Sequence, residues 1–308
     1  MKHFRYLLEY CLARLLILLI DILPLKAASG AAEKLAGFCF IVLASRRRIA
    51  VNNLLMSRVA SGKEEAVKIA RGSFRHLAVL LVETLKCGKV LNQDSWRDHV
   101  KLEIPQETMD ILEDNSRSLI IASGHVGSWE NGVRLLSFFK PVTGIIRRLN
   151  NPYVNRIMEK RRPDKRFRAV AKHDISPSSL LSALRSGNIL AIMIDQHART
   201  HGEMIDYFGT KASTPVAPAL LHVKTGVPLC FAYCLRTGPG KYTVNIGPPL
   251  SVSGESSRKE QIRELLEKLT SRLESAIRRA PEQYLWSHRR WREPYCAPPP
   301  EKVESKVL

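Results

Sequence analysis

Acidic residues are scarce beside basic ones. The chain has 29 Asp+Glu against 48 Lys+Arg, a formal net charge of +19 over 308 residues. An excess of that size points to an anionic partner: phospholipid head groups, a phosphorylated substrate, an acidic protein or nucleic acid. The basic residues are dispersed in short groups (Arg46-Arg47-Arg48, Arg147-Arg148, Lys160-Arg161-Arg162, Arg289-Arg290), with neither zinc-finger spacing nor an RNA-recognition aromatic motif. Nucleic acid is the poorer fit, and membrane or phosphate the better. The six cysteines, at 11, 39, 87, 230, 234 and 296, form no CxxC pair and no Cys/His cluster with metal-ligand spacing. No metal site is expected, and the cysteines read as reduced and buried, as in a cytoplasmic compartment. Internal repeats and low-complexity blocks are also lacking. With 45% hydrophobic and 25% charged residues the chain is globular, long enough for one large α/β core or two modest domains.

A clean membrane-spanning segment is missing too. Residues 4–25 are strongly apolar but carry Glu9, Arg14 and Asp21, and no small-residue cleavage site follows. Two readings remain, a marginal single span or an amphipathic helix lying in the interface. A second apolar run, Leu35 to Ala44, ends on Arg46-Arg47-Arg48, which suits anionic head groups on the cytoplasmic side. Membrane attachment is favoured over a buried first helix. The expected organisation is an anchoring region over 1–45, a catalytic domain over 46–296 and a disordered proline-containing tail over 297–308.

Periodicity sketches the rest. Ser61-x-x-Glu64 opens a helix as a capping box, with Val67, Ala70, Phe74, Leu77, Leu81 and Leu85 at helical spacing up to Gly88. Helices are expected from Pro105 to Asn115, Pro152 to Arg162, Ser178 to Arg185 and Pro215 to Thr225. Strands are expected over 118–123, 142–146, 168–171, 189–194, 228–235 and 242–246. A final helix starts at Ser257-x-x-Glu260 and buries Ile262, Leu265, Leu266, Leu269, Leu273 and Ile277. This alternation predicts an α/β sheet flanked by helices.

The chemistry concentrates at Gly124-His125-Val126-Gly127-Ser128-Trp129-Glu130, where a buried strand turns into a helix. Residues five apart point about 140° from one another on one helix. Contact therefore requires His125 to lie outside the helix and fold back over its first turn. In that arrangement the imidazole takes a proton while Glu130 fixes its tautomer and stabilises the imidazolium. A turn histidine that merely caps the helix would give the same spacing. The flanking Gly124 and Gly127, which allow close backbone approach, favour the catalytic reading.

The string resembles the His-x4-acid block of the bacterial lipid A biosynthesis acyltransferases, of the lauroyl and myristoyl type. Further blocks follow in the family's order: Arg48-x3-Asn52-Asn53, Arg147-Arg148-Leu149-Asn150-Asn151-Pro152, Gly187 through Asp195-Gln196, Tyr207-Phe208-Gly209 through Thr214-Pro215, and Trp286-Ser287-His288-Arg289-Arg290-Trp291. Together they cover about residues 5 to 293. Ser128 stands where Asn is common, and Arg148 replaces a frequent Pro.

The resemblance implies a glycerolipid-acyltransferase-like fold and transfer of a fatty acyl chain from acyl–acyl carrier protein to a hydroxyl of a phosphorylated glucosamine-based lipid A precursor, at the cytoplasmic face of the inner membrane. His125 and Glu130 would be catalytic. Arg147, matched by its spacing to Pro152, and its neighbour Arg148 would hold phosphate or an oxyanion. Asp195 and Gln196 would orient substrate or an arginine. Thr214 would cap a helix, started by Pro215, whose N-terminus can hold an anion. No metal, other cofactor or acyl-enzyme is required. The rivals are an acyltransferase for a glycerophospholipid or another glycolipid and, from another class, a basic membrane- or nucleic-acid-binding protein without catalysis.

Overall fold

Four helices precede the first strand: α1 (Lys2–Ile22), α2 (Leu25–Val42), α3 (Ala44–Met56) and the long α4 (Lys63–Val90). The structure, a computed structural model, describes residues 2–146, 148–161, 166–171, 176–185, 187–200, 202–252, 254 and 256–291. Strands and helices then alternate through β1 (Val100–Glu103), α5 (Gln106–Glu113), β2 (Leu119–Ser123), α6 (Trp129–Ser137), β3 (Val142–Ile146), α7 (Pro152–Lys160), β4 (Phe167–Ala171), α8 (Pro177–Arg185) and β5 (Ile189–Met193). A hairpin of β6 (Gly202–Tyr207) and β7 (Thr210–Pro215) follows. After it come α9 (Ala217–Thr225), β8 (Leu229–Gly238), β9 (Lys241–Ile246) and α10 (Arg258–Arg279).

Seven strands form one sheet in the order β1-β9-β8-β2-β5-β3-β4. Only β8 and β9 run antiparallel; every other pairing is parallel. Parallel strands buried on both faces read as continuous apolar runs. The central strand β2 shows why: Ile120 and Ala122 pack into the core shared with α8, α9 and α10, while Leu119 and Ile121 pack into the opposite core with α5 and α6. The expected α10 stripe lines the first core at Leu265, Leu266, Leu269, Leu273 and Ile277, and the Ser257–Glu260 capping box is formed.

The structure departs from the expectations in several places, and the edge strand β1 is one of them. Glu65, not Glu64, bonds the Ser61 backbone N at 2.7 Å, and the helix takes Gly62 as its N-cap and runs past Gly88 to Val90. The β6–β7 hairpin was not expected, and it draws Thr214 and Pro215 into a strand. Consequently α9 starts at Ala217 with Val216 as N-cap, and Thr214 caps nothing.

At the N-terminus, α1 packs one edge against α4 and α7, burying Ile17 and Ile20, and leaves Phe4, Leu8, Leu12, Leu15, Leu18, Leu19 and Ile22 exposed. From α2, Leu35, Phe38, Ile41 and Val42 are exposed as well. Among the described residues no single helix is long and apolar enough to cross a membrane; α2 and α3 meet that test only as a pair bent by 91°. The tail over 297–308 lies outside the described residues.

Candidate active site

His125 sits just beyond the carboxyl end of β2, in the turn into α6. The turn is pinned from several sides. Gly127 N donates to Gln283 O at 2.8 Å, Ser128 N to Cys234 O at 2.6 Å, and Leu285 N to His125 O at 3.1 Å. Gly127 has φ +66°, and a Cβ there would collide with the Cys234 carbonyl, so glycine is required at this position. The buried His76 of α4 bonds Gly127 O through Nε2 at 3.1 Å. Burial, with the Arg236 charge adding, pushes the His76 imidazole down to about 4 against the opposing pull of that bond. It is a neutral donor holding the turn.

The carboxylate that grips His125 is Asp195. Its Oδ1 lies 2.9 Å from His125 Nδ1, and its Oδ2 accepts from the His125 backbone N at 2.9 Å. Strand register explains the meeting: β2 and β5 pair with Ser123 opposite Met193, and His125 and Asp195 each lie two residues further on. Asp195 is 2% exposed, whereas the His125 side chain keeps 18% of its surface open. In the neutral ring an acceptor at Nδ1 places the proton on that nitrogen and leaves Nε2 free to accept one. The imidazole also lies edge-to-face on Trp129, ring centroids 5.1 Å apart.

Electrostatics follow this geometry. Burial alone would push the His125 imidazole down, but the charge and hydrogen bond of Asp195, with Glu130 adding, hold it above its ordinary value. Burial likewise works against the Asp195 carboxylate, yet His125, and more weakly Arg290, hold its carboxyl below the usual range. The pair favours an imidazolium beside a carboxylate.

The other expected residues are placed as follows. Glu130 lies in the first turn of α6, exposed, and no hydrogen bond joins it to His125; the tautomer-fixing partner expected at Glu130 is Asp195 instead. Gln196 is exposed, its Nε2 3.5 Å from His125 Nε2. Arg148 is exposed in the loop after β3, and Arg147 lies outside the described residues. Thr214 is fully buried; its Oγ1 donates to Ala212 O and accepts from Arg290 Nη2 at 2.7 Å. That places Thr214 in the wall behind the site, with no face open to an anion.

The C-terminal aromatic-basic block is packing. Trp286 and Arg290 are buried, and Trp291 lies against Tyr207 with centroids 5.4 Å apart. Asn53 Nδ2 donates to Trp286 O and His288 O, each at 2.7 Å, so the upstream Asn-Asn pattern serves to hold this block.

A cavity of about 260 Å³ opens between α4 and α6. Leu77, Leu80, Leu81 and Leu85 of α4, Trp129 and Val133 of α6, Met158 of α7 and Phe167 of β4 make its wall largely apolar. Trp129, whose ring lies against His125, is part of this wall, so the cavity and the histidine share a side chain. From Leu77 to Cys87 along α4 is about 15 Å at the helical rise.

The family model for the bacterial lipid A biosynthesis acyltransferases matches residues 1–293. Among curated proteins, the chain is 24% identical over 257 residues to the lipid A biosynthesis palmitoleoyltransferase of Escherichia coli (strain K12), covering 81% of this chain and 80% of that one. The same figures hold for the lipid A biosynthesis acyltransferase of Shigella flexneri. The phosphatidylinositol mannoside acyltransferase of Mycolicibacterium smegmatis is 26% identical over 165 residues, 51% of this chain and 54% of that one.

Proposed function

The chain belongs to the bacterial lipid A biosynthesis acyltransferase family and is an acyltransferase; from that premise we propose that it moves a fatty acyl chain from acyl–acyl carrier protein to a hydroxyl of a lipid A precursor, with His125 as general base. His125 Nε2 takes the proton of the acceptor hydroxyl as its oxygen attacks the thioester carbonyl. A tetrahedral oxyanion forms, then collapses to the new ester and expels the carrier's thiolate, which the imidazolium reprotonates. Asp195 holds the ring and the imidazolium, and Glu130 contributes negative charge nearby. Gln196, beside Nε2, Arg148, in the loop after β3, and Arg147 are the side chains proposed to meet the oxyanion or an acceptor phosphate. The acyl chain lies in the apolar cavity along α4.

The single observation that carries this reading is Asp195 on Nδ1, with Nε2 left free to accept a proton and Trp129 shared between His125 and the apolar cavity. Location rests on the exposed apolar surface of α1 and α2 and on Arg46–Arg48: the chain attaches to the cytoplasmic face of the inner membrane by helices lying in one leaflet. The reading is tested by mass spectrometry of lipid A from cells with and without the protein. One acyl substituent disappears with the gene and returns with the wild type but not with His125→Ala. An unchanged lipid A profile defeats the acceptor assignment.

A further inference from the structure

Glu9, Arg14 and Asp21 interrupt the apolar run over residues 4–25. Both acidic residues meet α7. Asn151, 6% exposed, is the N-cap of α7, and its Oδ1 accepts from Tyr153 N at 3.0 Å and Val154 N at 3.3 Å. Its Nδ2 donates to Tyr6 O and to Glu9 Oε2, each at 2.9 Å. The amide thus gives both donors to α1 and both acceptor positions to α7, and a flipped amide would satisfy neither side. The other oxygen of Glu9 takes Arg5 Nε at 3.3 Å. At the far end of α7 the Arg161 guanidinium, its C-cap, pairs through both Nη atoms with the Asp21 carboxylate. Near the first clamp, the Tyr153 ring lies edge-on to His3 and Tyr10, with centroids 5.9 and 5.8 Å away.

At the helical rise Asn151 to Arg161 spans about 15 Å and Glu9 to Asp21 about 18 Å, so α1 runs alongside α7 in the same direction. Among the described residues, α7 packs chiefly on α1. In turn α7 fixes the chain before it: Leu149 N donates to Asn155 Oδ1 at 3.1 Å, and Asn155 N to Asn151 O at 3.0 Å. Arg148, next to Leu149, therefore takes its place from α7, and α7 takes its place from α1. The other side of α1 carries the exposed Leu8, Leu12 and Leu15.

We propose that α1 is a positioning element of the active site as well as a membrane-facing helix, and that Asn151, held by Glu9, is the positioning residue that sets Arg148 and the loop it stands in. This rests on the acyl-transfer reading for what the loop does and goes beyond it in what holds the loop.

The test uses the full chain in detergent. Asn151→Asp keeps a good N-cap, because aspartate caps as well as asparagine, but it removes both donors and sets a carboxylate against Glu9. Glu9→Gln alone keeps a carbonyl that accepts from Asn151. Combined with Asn151→Asp, it restores the pair with donor and acceptor exchanged. Two readouts are taken, kcat and KM for acyl transfer and hydrogen exchange of the α7 amides. The expected result in Asn151→Asp is a fall in kcat/KM of roughly 10- to 100-fold with faster exchange over α7 and at Leu149. The double variant should recover most of both. A residue that only caps α7 would leave Asn151→Asp near the wild type, and that result overturns the proposal, as does a loss that the double variant does not recover. Should Asn151→Asp fail to fold, Asp21→Ala, at a side chain 30% exposed, reads the second clamp, and an unchanged kcat/KM there overturns the proposal. Exchange that responds and recovers as described, with no acyl transfer by any form of the protein, defeats the acyl-transfer reading and leaves the coupling of α1 to α7 standing.

Discussion

Asp195 holds His125 twice, through the imidazole Nδ1 and through the backbone N, each at 2.9 Å. Both bonds come from one buried carboxylate, so ring orientation and turn conformation are set together. Two neighbouring parallel strands thereby deliver the imidazole and the carboxylate to the same sheet edge.

The first consequence is a pH dependence. His125 must be neutral at Nε2 to accept the acceptor's proton, and its value lies above the ordinary 6.5. The acid limb of kcat/KM should therefore lie above 6.5, with activity rising as pH rises through it. In Asp195→Asn the charge that raises the imidazole is gone while burial still lowers it, so the limb should move to lower pH even as the plateau falls. A limb that stays in place in that variant speaks against Asp195 as the partner.

His76 gives a stability window of its own. Its value in the fold is about 4 against an ordinary 6.5. Between those two pH values the unfolded chain binds more protons than the folded one, so stability is full above 6.5 and declines as pH falls toward 4. Unfolding followed against pH should show a shallower decline across that window in His76→Gln, whose amide can still donate to Gly127 O. An identical decline in both proteins would show that His76 contributes nothing to it.

Membrane attachment is tested on the exposed leucines. The triple change Leu8→Glu, Leu12→Glu and Leu15→Glu alters side chains that are 53%, 60% and 54% exposed, leaving the edge of α1 packed on α4 and α7. It should move the protein from the membrane to the soluble fraction while the purified chain keeps its fold. Full-length wild type that leaves the membrane in high salt alone would defeat the attachment.

A carrier-protein donor is an acidic macromolecule, and a chain of charge +19 should capture it partly by long-range attraction. That attraction is screened over a Debye length of about 8 Å at physiological salt. Hence kcat/KM with acyl–acyl carrier protein should fall steeply with ionic strength. Arg161, in the Lys160–Arg162 basic group, is a poor place to look for the docking face. It is paired with Asp21 of α1 and lines the cavity, and Arg162 lies outside the described residues. Acyl-CoA serving as the better donor at matched concentration would remove the carrier protein from the account and leave acyl transfer in place.

Much of the fold could be read from local pattern. The strand before His125, the α6 start and the Ser257–Glu260 box all rest on signals within a few residues. What local pattern could not supply was pairing across the sheet. His125 and Asp195 are 70 residues apart, separated by α6, β3, α7, β4, α8 and β5, and nothing in the order of those elements states that β5 lies beside β2. Glu130, five residues away, was the nearer carboxylate in sequence and not the one in contact. The β6–β7 hairpin was missed for a related reason. Thr214-Pro215 has the chemistry of a helix start, but pairing of Gly202 with Pro215 through Tyr207 with Thr210 overrides it. His76 and Asn53 carry no motif of their own; their partners are backbone carbonyls at Gly127, Trp286 and His288.

The central claim is that His125 acts as the base with Asp195 as its partner. The most direct measurement is the rate of labelled acyl transfer from acyl–acyl carrier protein to a lipid A precursor by the purified wild type and by His125→Ala, Asp195→Asn and Glu130→Gln, each checked for fold. The account predicts a loss of roughly 100- to 10,000-fold in His125→Ala, a comparable loss in Asp195→Asn, and a clearly smaller one in Glu130→Gln. Near-wild-type kcat in His125→Ala, or a large loss in Glu130→Gln with Asp195→Asn unaffected, would contradict it.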